Sequence, residues 1–453
     1  MDVNVIILAG GKGSRIKMEC PKILMNVAGK PLIDYVLSAV QQIKPLSIKV
    51  VVPENEQILA YMKNQNISYI IQDTPKGTAH ALLTGLKGFP DDNIIVVLNG
   101  DVPLISSSTL EYFINNYYDA SKIAFISTEL EDPEQYGRIV RDEQKNFIKI
   151  IEDKDIVSDD VKKIREVNTG IYMGKAKEFF KRLAFVKNHN NQKEYYLTDC
   201  LRSGDLVYLK KNSNEFLGIN TLEDCAKVSK IIWLERAKQL MNQGVCIVDP
   251  QNFYVDETVQ IEPDVTIYPN VTINGKTSIK RHTNIYSGCR IVDSFIGERC
   301  TILDNTLIIS SEVGNNCSIG PMAHLRPTTI LKGENRIGNF VETKKVSLGK
   351  KTKASHLTYL GDATIGENVN IGCGTITCNY DGVNKNVTII GDNAFIGSDV
   401  QFVAPVKIGC NVVIAAGSTI TEDVPDNALA IARAKQINKP NWFVKWYERL
   451  RKQ

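Results

Sequence analysis

Isoleucine, valine or leucine returns at every sixth position through the second half of the chain. The series begins Val259, Val265, Val271, shifts phase, and resumes at Ile279, Ile285, Ile291 and then at Ile296, Ile302, Ile308. Its longest unbroken stretch is Val313, Ile319, Leu325, Leu331, Ile337. It runs on through Leu348, Ala354, Leu360, then Ile365, Ile371, and ends at Ile408, Ile414, Ile420. A period of six matches neither the 3.6 of a helix nor the 2 of a simple strand. It predicts a parallel β-helix in which each hexapeptide is one flat face and three faces close a coil. The repeat slips phase around 338–347 and again around 372–389, and insertions in a solenoid emerge as loops, often on the binding face.

The first half alternates short β runs with helical stretches. Strands are predicted at 5–8, 48–52, 69–71, 94–98 and 123–128, with helices near 32–43, 54–64 and 78–87. Such alternation predicts a mostly parallel α/β sheet with helices on both faces, whose ligands bind at the carboxyl ends of the strands. Residues 222–243 are rich in helix formers and stop at Gly244, so they read as one connecting helix. The organisation expected is therefore a Rossmann-like domain over 1–222, a linker helix over 223–243, and a β-helix domain with a tail over 244–453. The tail carries Trp442, Phe443, Trp446 and Tyr447 among basic residues and is expected to dock as a short helix on the coils.

Composition narrows the classes. The 453 residues hold 54 basic and 51 acidic side chains, a net charge of +3, which argues against nucleic acid as a partner. Ten cysteines lie scattered with no C-x-x-C pair, which disfavours a zinc site or a disulfide framework and favours a reducing compartment. No apolar run reaches the ~18 residues of a spanning helix, and the first residues lack the basic region of a signal peptide. A soluble, cytoplasmic protein with no membrane partner is expected.

Chemistry-bearing residues gather after the predicted strands. The first strand is followed by Leu8, Ala9, Gly10, Gly11, Lys12, Gly13, Ser14, Arg15, a glycine-rich loop that lets backbone N–H groups approach phosphate. It is neither a G-x-G-x-x-G nor a Walker loop, and alone it is equally a tight turn with surface cations. Company changes the reading. Lys22 follows a proline, Gln72 ends a strand, Gly77-Thr78 opens a helix, and Asn99-Gly100-Asp101 ends another strand, a usual place for a metal or ribose contact. Further along stand Gly137, Glu152, Asn168 and Asn220 in short polar motifs.

This ordered set resembles the sugar-1-phosphate nucleotidyltransferases. Over essentially the whole chain it resembles the bifunctional N-acetylglucosamine-1-phosphate uridyltransferase/glucosamine-1-phosphate acetyltransferases. The resemblance implies that Leu8–Gly11, Gln72, Gly77 and Thr78 hold the uracil and nucleotide of UTP, with Asn99 and Gly100 in the same binding set. Gly137, Glu152 and Asn168 would hold the amino sugar, and Asp101 with Asn220 would bind Mg²⁺. Arg15 and Lys22 would neutralise charge on the phosphates, which suits a reaction that is mostly positioning and charge compensation. Asn99 departs from the family, where an aromatic residue is frequent.

The coils carry a second cluster that pure scaffolding does not need. It contains Arg326, Glu342, Lys344, His356, Tyr359, Asn370, Asn379 and Tyr380. A histidine can take a proton from an attacking amine, although one in a β-coil is more often a bystander. On the resemblance, His356 is the general base of acetyl transfer and Glu342 supports it. Arg326, Lys344, Tyr359 and Asn370 would bind glucosamine 1-phosphate. Cys373, Asn379, Tyr380, Ser398, Ala416 and Arg433 would contact acetyl-coenzyme A. Cys373 stands where the family usually has alanine and reads as a small-residue replacement. The resemblance further implies a left-handed β-helix, a homotrimer, and a product that feeds peptidoglycan and lipopolysaccharide precursors. Two other readings compete: a monofunctional nucleotidyltransferase whose coils only oligomerise or regulate, and a non-catalytic assembly factor. The polar cluster around His356 weighs against the first, and the set of Arg15, Lys22, Asp101 and Asn220 against the second.

Overall fold

The computed structural model describes residues 1–11, 15–133, 135–211 and 214–451. The chain divides into two compact units, Met1–Ile232 and Trp233–Gln453, and the long helix Leu222–Asn242 is shared between them.

In the first unit, β1 (Asn4–Leu8) is buried along its whole length. A strand apolar on both faces needs cover on both, which a parallel sheet between helices supplies. Helix α1 (Leu32–Gln42) turns Leu32, Ile33, Val36, Leu37, Ala39 and Val40 inward at helical spacing. It leads to β2 (Ser47–Pro53), α2 (Glu56–Asn64), β3 (Tyr69–Gln72), α3 (Thr78–Gly85), β4 (Ile94–Asn99), α4 (Ser107–Asn116) and β5 (Ala124–Glu129). The five expected strands and three expected helices are all present, shifted by at most two residues at their ends. After them come the hairpin β6 (Arg138–Arg141) and β7 (Phe147–Ile151), then β8 (Glu166–Lys175), α5 (Ala176–Leu183) and β9 (Leu206–Lys210). The sheet order is β9-β5-β8-β4-β1-β2-β3. All neighbours are parallel except β8, which runs antiparallel to both β4 and β5. Its direction brings Asn168 and Gly170 to the edge where β4 ends. Strand β8 escaped the pattern reading because it is buried on both faces and shows no alternation.

The second unit is a parallel β-helix. Along one face Ile261 pairs with Ile279, and the column continues through Ile296, Val313, Leu331 and Leu348 to Ile365, in steps of 17 or 18 residues. These side chains form one continuous buried core. The corners demand left-handed backbone, and Asn270, Asn305, Asn316, Asn368 and Asn411 supply it at φ between 54° and 61°, since asparagine tolerates that region better than most residues.

The two phase slips have different origins. Around 338–347 nothing is inserted. Strand β10 (Arg336–Leu348) pairs in register with β11 (Lys353–Ile365), and the buried position between Leu325 and Leu360 is taken by Thr343. Thr343 satisfies its hydroxyl against that of Thr329 at 2.9 Å, so a polar residue interrupts the hydrophobic pattern without interrupting the coil. The second slip contains a real excursion. Ile365 pairs with Ile390, a step of 25, and the extra residues fold back through an antiparallel bridge between Tyr380 and Lys385. The tail also differs from expectation. Helix α6 (Trp442–Leu450) buries none of its side chains, and residues 431–451 are all exposed.

Substituting a core aliphatic tests the column. Ile302→Ala is expected to cost about 2–5 kcal/mol, read as a lower midpoint of urea unfolding for the second unit.

Candidate active sites

The carboxyl ends of β1, β3 and β4 line one rim of the sheet, as expected for a ligand crevice in an open α/β sheet. A cavity of about 240 Å³ there is lined by Arg15, Thr78, Asn99, Asp101, Gly137, Glu152, Asn168, Gly170 and Asn220. A second cleft of about 330 Å³ is lined by Ala9, Gly11, Lys22 and residues from 16 to 58. Of the glycine-rich loop, residues 12–14 lie outside the described residues. Before it, the Leu8 carbonyl accepts from Gly100 N–H at 2.9 Å and Ala9 N–H donates to Val51 at 2.8 Å. Among the described residues no protein acceptor meets the N–H of Gly10 or Gly11.

Lys22 joins residues far apart in sequence. Its Nζ donates to Asp101 Oδ2 at 2.6 Å and to Asn220 Oδ1 at 3.0 Å. Arg15 donates to Asn220 Oδ1 at 3.5 Å and to Gln135. Two oxygens therefore converge on cationic groups at the end of β4. Thr78 accepts from Leu197 N–H at 2.9 Å and pins the segment that follows β8 and α5. Gly77 has φ +114°, and a Cβ there would lie 2.5 Å from the Tyr195 carbonyl, so no other residue fits that turn. Gln72 pairs with His80 at 2.8 Å.

The residues expected to hold the sugar lie on or beside β6, β7 and β8. Glu152 accepts from Thr198 at 2.7 Å. Burial pushes its carboxyl above the usual range, the Thr198 bond opposes this, and Asp199, Asp155 and Asp153 add to it. Asn168 donates from Nδ2 to the Tyr172 hydroxyl at 2.7 Å and accepts from Gly170 N–H at 3.2 Å. Gly137 stands over Glu152, its absent Cβ 3.3 Å from Oε2. The Asn99 amide faces Gly170, where a Cβ would lie 2.1 Å from Nδ2. Sequence reasoning left out the orienting partners His80, Thr198, Tyr172 and Gln135. His80, just past Gly77-Thr78, and Thr198, in the run Tyr195-Tyr196-Leu197-Thr198-Asp199, lay in stretches the sequence singled out, whereas Tyr172 and Gln135 had no signal beyond being polar.

In the β-helix the predicted residues fall on columns. Hydrogen bonds from Gly374 N to Leu357 O, Asp399 N to Cys373 O and Gly417 N to Ser398 O tie successive coils at one corner. His356, Cys373, Ser398 and Ala416 stand along that corner. Glu342 and Tyr359 pair on the next face, and Arg326 and Lys344 lie at its far end. Arg326 and Glu342 form an ion pair at 2.7 Å. Asn370 belongs to a third face, paired with Lys353. Asn379 is buried and donates to Asp362, Tyr380 is exposed on the excursion, and Arg433 donates to the Ala416 carbonyl at 2.8 Å. No hydrogen bond of the His356 side chain reaches any other described residue. The set surrounds the coil rather than meeting in one pocket.

Comparison with known proteins decides the family. Residues 5–147 match the MobA-like NTP transferase domain, residues 250–359 the GMPPB C-terminal domain, and residues 388–422 the bacterial transferase hexapeptide. The chain is 42% identical over 453 residues to the bifunctional protein GlmU of Thermoanaerobacter pseudethanolicus, covering 99% of this chain and 98% of that one. It is 44% identical to the GlmU of Thermosipho melanesiensis, covering 98% of each, and 41% identical to that of Pelobacter propionicus, with the same coverage. The chain belongs to the GlmU family of bifunctional proteins. It is a bifunctional enzyme, a uridyltransferase in its first unit and an acetyltransferase in its left-handed hexapeptide β-helix.

The environment of Glu152 gives a stability test. Its raised carboxyl means that stability is full below the ordinary carboxylate range and is lost as pH rises through the raised value. Glu152→Gln removes that loss. The melting temperature of the variant relative to the parent is expected to grow between about pH 4 and pH 8, measured by thermal unfolding across that range.

Proposed function

We propose that the two units act in sequence on one amino sugar. In the β-helix, the amine of glucosamine 1-phosphate attacks the thioester carbonyl of acetyl-coenzyme A. A carbon–nitrogen bond forms, the carbon–sulfur bond breaks, and coenzyme A leaves as its thiol. His356 takes the amine proton, and Glu342 supports the site through Arg326. Arg326 and Lys344 face the phosphate, Tyr359 and Asn370 hold the sugar, and Cys373, Asn379, Tyr380, Ser398, Ala416 and Arg433 line the acetyl-coenzyme A path. The attack is direct, so no cysteine nucleophile is needed. The spread of these residues over several faces supports a homotrimer in which neighbouring coils complete each site.

In the first unit, a phosphate oxygen of N-acetylglucosamine 1-phosphate attacks the α-phosphorus of UTP and pyrophosphate leaves. Backbone at Leu8–Gly11, with Gln72, Gly77, Thr78, Asn99 and Gly100, holds the nucleotide. Gly137, Glu152 and Asn168 hold the sugar, while Arg15 and Lys22 meet the phosphates. The observation that carries this reading is the convergence of Asp101 Oδ2 and Asn220 Oδ1 on one ammonium group. Two oxygens already gathered around a cation fit Mg²⁺, which binds few protein oxygens and leaves room for phosphates and water. When bound there, the ion supplies charge neutralisation and alignment of the two phosphates. We place the enzyme in the cytoplasm, where its UDP-N-acetylglucosamine feeds peptidoglycan and lipopolysaccharide precursors. Its functional divisions are 1–222, 223–243 and 244–453.

Separated activities test the assignment. Asp101→Ala is expected to lower UTP-dependent pyrophosphate release by at least ~10²-fold while sparing thiol release from acetyl-coenzyme A. His356→Ala is expected to do the reverse, by ~10²–10⁴-fold. Loss of both activities in either variant would sink the division of labour. Cys373→Ala is expected to keep acetyl transfer, and a folded variant without it would make the thiol essential.

A further inference from the structure

Gln72 ends strand β3 with a side chain that is almost wholly buried, and its Nε2 lies 2.8 Å from Nδ1 of His80 on helix α3. An amide NH₂ only donates, so the imidazole nitrogen opposite accepts and the ring carries its proton on Nε2. The pairing uses the donor end of the amide and fixes the direction of the other end. Oε1 then points at the nucleotide loop, where a Cβ on Gly10 would lie 2.6 Å from it. Glycine at position 10 is what leaves this oxygen open, and no described residue donates to it. Burial, then Lys76 and Lys87, lower the imidazole's readiness to take a second proton. A protonated ring would turn a donor toward a donor.

We infer that His80 is a positioning residue for base recognition: it locks the Gln72 amide with its carbonyl outward. The pocket therefore takes a pyrimidine that presents an N–H, the N3–H of uracil, and rejects one that presents a bare ring nitrogen, the N3 of cytosine. This rests on the reading that Gln72 meets the base of UTP. The physical basis is the asymmetry of buried hydrogen bonds. A matched pair gains little over water, but an acceptor facing an acceptor leaves both groups unsatisfied and costs far more. Without His80 the amide can turn over and offer its NH₂ to cytosine.

The test compares UTP and CTP as substrates of the full-length enzyme, with acetyl transfer as an internal measure of folding. His80→Leu is expected to raise the KM for UTP about tenfold with kcat within about twofold. The UTP-to-CTP ratio of kcat/KM should fall by about tenfold or more, with acetyl transfer unchanged. His80→Asn, which restores an acceptor, should recover part of the ratio. In a Gln72→Leu background the His80→Leu change should have no further effect on the ratio. An equal loss with both nucleotides, or an additive effect in the double variant, overturns the proposal. Imidazole ¹⁵N shifts check the pairing independently of substrate: a proton on Nδ1 overturns it as well. A parent enzyme with no preference for UTP, but with the expected tautomer, would instead remove the reading of Gln72 as the base contact.

Discussion

Parallel pairing of strands is the constraint from which both units follow. Parallel neighbours point their carboxyl ends the same way, so in the first unit the residues after β1, β3 and β4 reach one rim however far apart they lie in sequence. In the second unit the same pairing stacks equivalent positions of successive coils directly above one another. A buried position at one level stacks on a buried position at the next, and most of these are aliphatic. Repetition in sequence and convergence in space are thus two outcomes of one hydrogen-bonding geometry.

Polar groups enter this frame in matched pairs. Lys22 answers Asp101 and Asn220, His80 answers Gln72, Thr198 answers Glu152, Tyr172 answers Asn168, and Asp362 answers Asn379. A partly buried polar group without a partner costs more than a bond returns, so a pairing that satisfies one end of an amide also fixes the direction of the other. For Gln72 that other end is the carbonyl oxygen. Thr343 shows the same rule in a scaffold position, where a hydroxyl replaces an aliphatic because Thr329 is there to meet it.

The legible parts were those with strong period or punctuation. The six-residue repeat predicted the coils, and the apolar runs and glycine turns predicted the parallel strands of the first unit. The resemblance carried the candidate residues of both sites. What escaped had no local signature. Strand β8 is buried on both faces, so its pattern does not alternate, and its antiparallel direction depends on its neighbours. The slip at 338–347 looked like an insertion because a pattern of hydrophobic letters cannot tell a missing aliphatic from an added loop. Only the in-register pairing of β10 with β11 distinguishes them.

The sequence by itself determined the two architectures, their order, and the residue types available for chemistry, because period and turn residues are local properties of the chain. Tertiary structure alone decided which side chains face each other. It brought Asn220 to Lys22 across most of a domain, set the imidazole of His80 against the Gln72 amide, and spread the residues proposed for acetyl transfer over separate faces of the coil. Those outcomes turn on distances and directions between remote backbone segments, and no linear pattern encodes the direction in which an amide points.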